Sequence, residues 1–230
     1  MAAKKKTQKK IQNKAQKKTR KKTRAPLKKS VQASALPPMK PAVFPLEKLG
    51  PLRPLVGVWE GQKGDDIAPD DSREGIENNK FRERIEFVPI IPVDNHEQKL
   101  FGLRYKTTVW RLTESDPFHE EVGYWLWDPK EKQVMKSFIV PRGIVVLAGG
   151  TVEPSAQEFN LSADAGSSTY GICSNLFLDR EFKTVHYELN VKLTAGEFRY
   201  FEDTQMKMPG RADLFHHTDE NALRRTRSTF

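Results

Sequence analysis

From Val56 onward, apolar and polar residues alternate in short stretches, and that alternation predicts strands rather than helices. In FKTVHYELNVKL, residues 182–193, Val185, Tyr187, Leu189, Val191 and Leu193 alternate with Thr184, His186, Glu188, Asn190 and Lys192. A period of two places one set on a buried face and the other in water. KFRERIEFVPI repeats the pattern, with Phe81, Glu83, Ile85 and Phe87 opposed to Arg82, Arg84 and Glu86. KLFGLRYKTTVWRL, residues 99–112, is rich in β-branched and aromatic side chains, which fit a pleated surface. Further runs cover 118–127, 133–139, 144–151, 158–163 and 197–208. Turn signals separate them: DPKEK at 128–132, PRG at 141–143, AGG at 148–150 and TAGE at 194–197.

Hardly any 3.6-residue periodicity competes. The expected fold is all-β, an antiparallel up-and-down sheet of eight to ten strands. Closure into a barrel of the lipocalin or fatty-acid-binding type removes the exposed edges. Such a barrel has interior room for one small ligand. A sandwich fits the same strand pattern.

Composition divides the chain. It carries 39 Lys+Arg against 30 Asp+Glu, a net of +9 over 230 residues, yet residues 1–46 hold 15 of the basic side chains and no acidic one. Residues 47–230 are therefore mildly acidic, and the whole-chain charge says nothing of what that part binds. The Lys-rich stretch lacks aromatics and has too few apolar residues to offset chain entropy, so residues 1–46 read as a disordered tail with a Pro-containing linker (Pro37, Pro38, Pro41, Pro45). Its candidate partner is nucleic acid, held non-specifically and salt-dependently through residues 1–30, with an anionic surface or plain solvation as the other readings. No apolar run approaches the ~18 residues that span a bilayer, and no secretory leader pattern opens the chain; a cytoplasmic setting is expected. One cysteine, Cys173, rules out an internal disulfide and is expected to be buried and inert.

Enzyme templates such as G-x-S-x-G, the P-loop, H-E-x-x-H and the EF-hand are missing. Glu120 and Glu121 are neighbours in a strand and point to opposite faces, which disfavours a shared acid/base site. His186 falls on the wet face of its strand and His96 in a polar hairpin loop. Three stretches are distinctive, and two of them hold the remaining histidines: LVGVWEGQKGDDIAP (55–69), with Trp59 suited to fill a barrel end; PFHEEVGYWLWDP (117–129), with Phe118 beside His119; and FHHTDENALRR (215–225), with His216 and His217.

Taken in this order, the three stretches resemble the nitrobindin-like haem-binding β-barrels, a family similar in shape to fatty-acid-binding proteins. The opening G-x-W-x-G matches Gly57, Trp59 and Gly61, with Gly64 beyond. A His-x-Glu-x-Gly-aromatic motif matches His119, Glu121, Gly123 and Tyr124, and a P-x-G-h-V turn matches Pro141 to Val145. The closing His before Leu-Arg matches His217, Leu223 and Arg224, so the resemblance spans about 49–225. It implies haem b with ferric iron ligated by His217, or by His216 one position away. Asp219 or Glu220 would steady the ring, and His119 would stand at the edge of the site or over an apolar distal face. Met206 and Met208 are candidates to pack on the porphyrin. The activity implied is nitric oxide binding or peroxynitrite isomerisation.

One departure stands out. Where the family carries an aromatic residue before a proline, this chain has Lys63, Asp65 and Asp66, charges near the expected pocket mouth. A metal-free carrier of a fatty acid or another apolar molecule stays open as an alternative, with Arg104 or Arg142 as its carboxylate clamp. A nucleic-acid-tethered interaction protein is the third reading.

Overall fold

Alternation along the chain becomes a wall that pairs strand by strand until it meets itself. The structure, a computed structural model, describes residues 44–227. The expectations for the basic tail, including contact with nucleic acid through residues 1–30, fall outside the described residues. The strands are β1 (Gly57–Pro69), β2 (Ile76–Pro89), β3 (Val93–Asp94), β4 (Lys99–Arg111), β5 (His119–Asp128), β6 (Gln133–Val140), β7 (Ile144–Thr151), β8 (Glu158–Ala165) and β9 (Gly171–Ser174). A short helix, α1 (Leu176–Glu181), precedes β10 (Lys183–Thr194), β11 (Glu197–Lys207) and β12 (Phe215–Arg227).

The order around the wall is β2-β1-β12-β11-β10-β8-β9-β7-β6-β5-β4, and pairing of β2 with β4 closes it. The two-residue β3 pairs only with β4, which leaves eleven strands in the barrel, slightly above the expected eight to ten. The extra members are β9, which lies parallel to β8 and antiparallel to β7 in a sheet otherwise antiparallel, and β12, which the sequence presents as a motif rather than a strand. β12 pairs with β1 on one side and β11 on the other and is the last stave of the wall.

One end is sealed by apolar side chains. Trp59, Leu103, Trp127, Leu193 and Leu223 are at most 2% exposed, and a 3-10 turn at Gly50–Leu55 lays Leu52 and Leu55 across them. Trp59 Nε1 donates to the Leu55 carbonyl at 2.6 Å, so the plug buries its indole N–H satisfied. β1 bends over this end through an irregularity between Gly61 and Gly64. Gly64 has no substitute here, because a Cβ would lie 2.2 Å from the Phe81 ring.

Two local expectations are corrected. A register shift between Thr184 and His186 puts Thr184, not Val185, on the buried side of β10. The extra residue of a bulge reverses the alternation at that point. Cys173 is exposed rather than buried, because its neighbour Ile172 takes the side of β9 that packs on the core.

Candidate functional site

Beyond the plug, the same strands enclose a cavity of about 830 Å³, within the usual range for small-molecule sites. Phe87, Phe138, Val146, Leu189 and Phe198 supply apolar wall, and α1 with Phe182 borders the opening.

β12 brings the paired histidines to this cavity and separates them. Phe215 is buried, His216 turns outward, and His217 lines the cavity with its side chain 32% exposed. His216 Nδ1 meets Asp203 Oδ2 at 2.8 Å, away from the lining. His217 Nε2 meets Asp66 Oδ1 at 2.9 Å, and Asp219 Oδ2 lies 3.6 Å from the same nitrogen. His217 Nδ1 makes no hydrogen bond among the described residues. Asp66 is itself buried, and its other oxygen accepts from Asn79 Nδ2 at 3.1 Å.

Charge follows from this crowding. Burial pulls the His217 pKa down, but the Asp66 hydrogen bond and the Asp219 charge outweigh it and raise the pKa above its ordinary value. Asp219 is pushed up to about 7 by burial, with Glu202 and Asp66 adding repulsion against the attraction of His217. Asp66 and Asp219 are direct cross-strand partners in the β1–β12 register, so the charged stretch of β1 meets His217.

Between this group and the plug runs a layer of buried polar side chains. Glu83 accepts from Thr107 (2.8 Å), Tyr200 (2.9 Å) and Asn221 (3.1 Å). Burial still drives its pKa up. Tyr105 donates to Glu121 at 2.5 Å, and Lys136 Nζ stands 3.5 Å from Glu121 and 3.4 Å from Glu202. Lys136 also donates to Tyr187 at 2.9 Å and lies 4.2 Å from the centre of the Phe138 ring. Burial would raise the Glu121 carboxyl, but Lys136, His119 and Tyr105 hold it at about 2. Lys136 is raised as well, because Glu121 and Glu202 outweigh its own burial. Trp125 lines the cavity, and its buried Nε1 has no hydrogen-bond partner among the described residues.

His119, at the start of β5, faces the cavity with Nε2 3.8 Å from Glu121 Oε1. Burial would lower its pKa, yet Glu121 and Asp219 raise it. Phe118 lies at the rim under Arg111, whose guanidinium is 4.7 Å from the ring centre. Met206 lines the cavity, whereas Met208 packs with Met206 and Phe215 in a small satellite cluster. Trp59 belongs to the plug and does not reach the cavity. Arg104 faces outward, and Arg142 reaches the rim beside Phe182. Glu220 is exposed, so the carboxylates that meet His217 are Asp66 and Asp219. The resemblance implies an apolar distal face; the cavity also carries Lys136 with Glu83, Glu121 and Glu202. Their signal in the sequence is a charged residue at an inward position of an alternating strand, as at Glu83.

The model of one protein family, described as "THAP4-like, heme-binding beta-barrel domain", matches residues 48–225. Among solved structures, Rv2717c from M. tuberculosis is similar at 21% identity and a TM-score of 0.56, over 81% of this chain and 100% of that one. At that identity the likeness concerns the fold alone. No curated protein matches the chain.

Proposed function

We propose, for a chain that belongs to the family of THAP4-like haem-binding β-barrel domains, that its cavity holds haem b with His217 as the iron ligand. The loaded protein would bind nitric oxide or isomerise peroxynitrite. The observation that carries this reading is the state of His217: the inward member of the pair, in the cavity, with one ring nitrogen held by a carboxylate and the other unbonded.

The residues present suit the group. A ligating imidazole generally gives its second ring N–H to a carboxylate, which fixes the tautomer and strengthens the donor. Asp66, 2.9 Å from Nε2, is a carboxylate within reach of the ring for that part. Arg73, Arg111 and Arg142 line the opening, where their guanidinium groups match the propionate carboxylates of a porphyrin. Phe87, Phe138 and Phe198 offer flat apolar wall. Haem would supply an iron with one face free for a small ligand. Lys136 and His119 face the same space and are donors suited to an oxyanion, which favours peroxynitrite and nitrate over simple storage of a neutral gas.

Haemin titration of the full chain tests the assignment. A 1:1 Soret shift is expected, kept in His216→Ala and weakened at least about 10-fold in His217→Ala. Equal binding by His217→Ala sinks it. Loaded protein is then assayed for a nitrosyl spectrum and for nitrate formed from peroxynitrite.

The rim arginines and apolar walls also favour a second reading, a carrier for a fatty acid or similar amphipathic anion. Displacement of a fluorescent fatty acid from haem-free protein, lost in Arg111→Ala with Arg142→Ala, is its expected result. For residues 1–30, deletion of 1–46 is expected to abolish salt-dependent RNA or DNA binding.

A further inference from the structure

We infer that Asp66, His217 and Asp219 form a site for a first-row divalent cation in the haem-free chain, bound through His217 Nε2. The inference shares His217 with the reading above but needs no porphyrin, since it concerns the haem-free chain.

Geometry is the first argument. One ligand atom from each of the three residues lies within 4.8 Å of the others, with 2.9 Å from Nε2 to Asp66 Oδ1 and 3.6 Å to Asp219 Oδ2. Donors about 2.0–2.2 Å from a metal stand roughly 3.0–3.5 Å apart at octahedral to tetrahedral angles. The two separations from Nε2 bracket that range and the third lies within 4.8 Å, so a cation fits once the two carboxylates draw together. Two carboxylates also converge on one ring nitrogen, which carries at most one proton. Asp66 accounts for that proton, and the Asp219 carboxylate accepts no hydrogen bond among the described residues.

The strand register is the second, independent argument. Asp66 and Asp219 face each other directly across β1 and β12 on the inward side. Like charges at directly opposed positions destabilise a sheet. A cation between them turns the repulsion into attraction and explains why the pair stands beside an imidazole.

Donor chemistry sets the class. One imidazole nitrogen with two carboxylate oxygens suits ions from Mn²⁺ to Zn²⁺; all-oxygen cages serve Mg²⁺ and Ca²⁺, and thiolate sites serve softer ions. Three protein donors leave a coordination position open, and it faces the cavity.

Titration of the haem-free full chain with Zn²⁺ by calorimetry, and with Co²⁺ by visible absorption, decides the matter. One ion per chain is expected, weakened at least about 10-fold in Asp66→Asn and in Asp219→Asn and absent in His217→Ala. His186 and His216 pair with Asp164 and Asp203 on the outer surface, each at 2.8 Å, and are the rival sites. Binding that persists in His217→Ala and is lost in His186→Ala or His216→Ala overturns the proposal, as does no binding at all. Asp219→Asn is nearly isosteric, and an unchanged far-UV circular dichroism spectrum would show an intact barrel. Failure of haemin alone leaves the cation site standing, and failure of Zn²⁺ alone leaves the haem reading standing.

Discussion

Trp59 on β1 and Glu83 on β2 both face the barrel interior, two register positions apart, and answer opposite demands. Around Trp59 the plug is apolar, and its indole N–H ends on a backbone carbonyl. One layer further along the same strands, Glu83, Glu121, Lys136 and Glu202 are at or near full burial beside the cavity. The plug resembles any protein core: its stability is area removed from water, roughly 25 cal/mol per Å². The charged layer gains little from burial and stands only because each ion has partners. The closed end is thus the foundation of the barrel, and the charged layer is where its chemistry is placed.

Removing a partner from the charged layer gives the largest expected effect. Lys136→Met leaves Glu121 and Glu202 facing each other without their shared cation, and a broken buried pair typically costs about 3–5 kcal/mol. Urea denaturation measures the loss. Adding Glu121→Gln and Glu202→Gln to the same chain should return much of it, because the uncompensated charges are gone. A loss below about 1 kcal/mol for Lys136→Met would mean that the layer is solvated rather than coupled.

The plug fails differently. Leu223 is fully buried at the end of β12, and Leu223→Ala should cost about 3 kcal/mol through lost burial and the cavity left behind. That loss should vary little with pH, since the side chain removed carries no charge and packs in the apolar plug.

The charged layer should bend the pH profile. Asp219 is raised from 3.8 to about 7, so the folded state holds its proton more tightly than the unfolded chain. Its contribution is complete below pH 3.8 and disappears as pH rises through about 7. His217, raised from 6.5, acts in the same direction at higher pH. Glu121 acts oppositely: lowered from 4.5 to about 2, its contribution is complete above pH 4.5 and is lost as pH falls through 2. Stability should therefore decline from pH 4 to 8, and Asp219→Asn should flatten that decline by on the order of 2 kcal/mol. Denaturation midpoints of both chains at pH 4, 6 and 8 supply the comparison, and parallel curves would refute it.

How far each half could be read from sequence follows the same division. The plug and wall are legible because apolar residues at period two declare their own face; 185–193 fails only at the bulge before Tyr187, where one extra residue shifts the phase. β12 is hidden as a strand because its inward positions His217, Asp219 and Asn221 are polar and break the alternation. Lys136 and Glu202 are hidden for the same reason. His217 is legible through its place in an ordered set of motifs, but its partner Asp66 lies 151 residues away along the chain. Only closure of β12 against β1 brings the two together. Lysine and glutamate inside a barrel declare no partner locally, and the pairs become visible only when β5, β6 and β11 are placed.

The smallest expected effect is also the closest control. His216 and His217 are adjacent, each bonded to an aspartate, and differ only in the face that period two assigns them. His216 is 55% exposed and Asp203 14%, and a pair with one partner largely in water contributes about 0.2–1 kcal/mol. His216→Ala should lower the denaturation midpoint by no more than that and leave haemin and Zn²⁺ binding unchanged. His217→Ala should remove a side chain that two inward carboxylates surround, and change both. If instead the two substitutions had equal effects on ligand binding, the face of the strand would not matter. The contrast between a barrel's solvent side and its cavity would then lose its meaning at the one position where a single residue tests it.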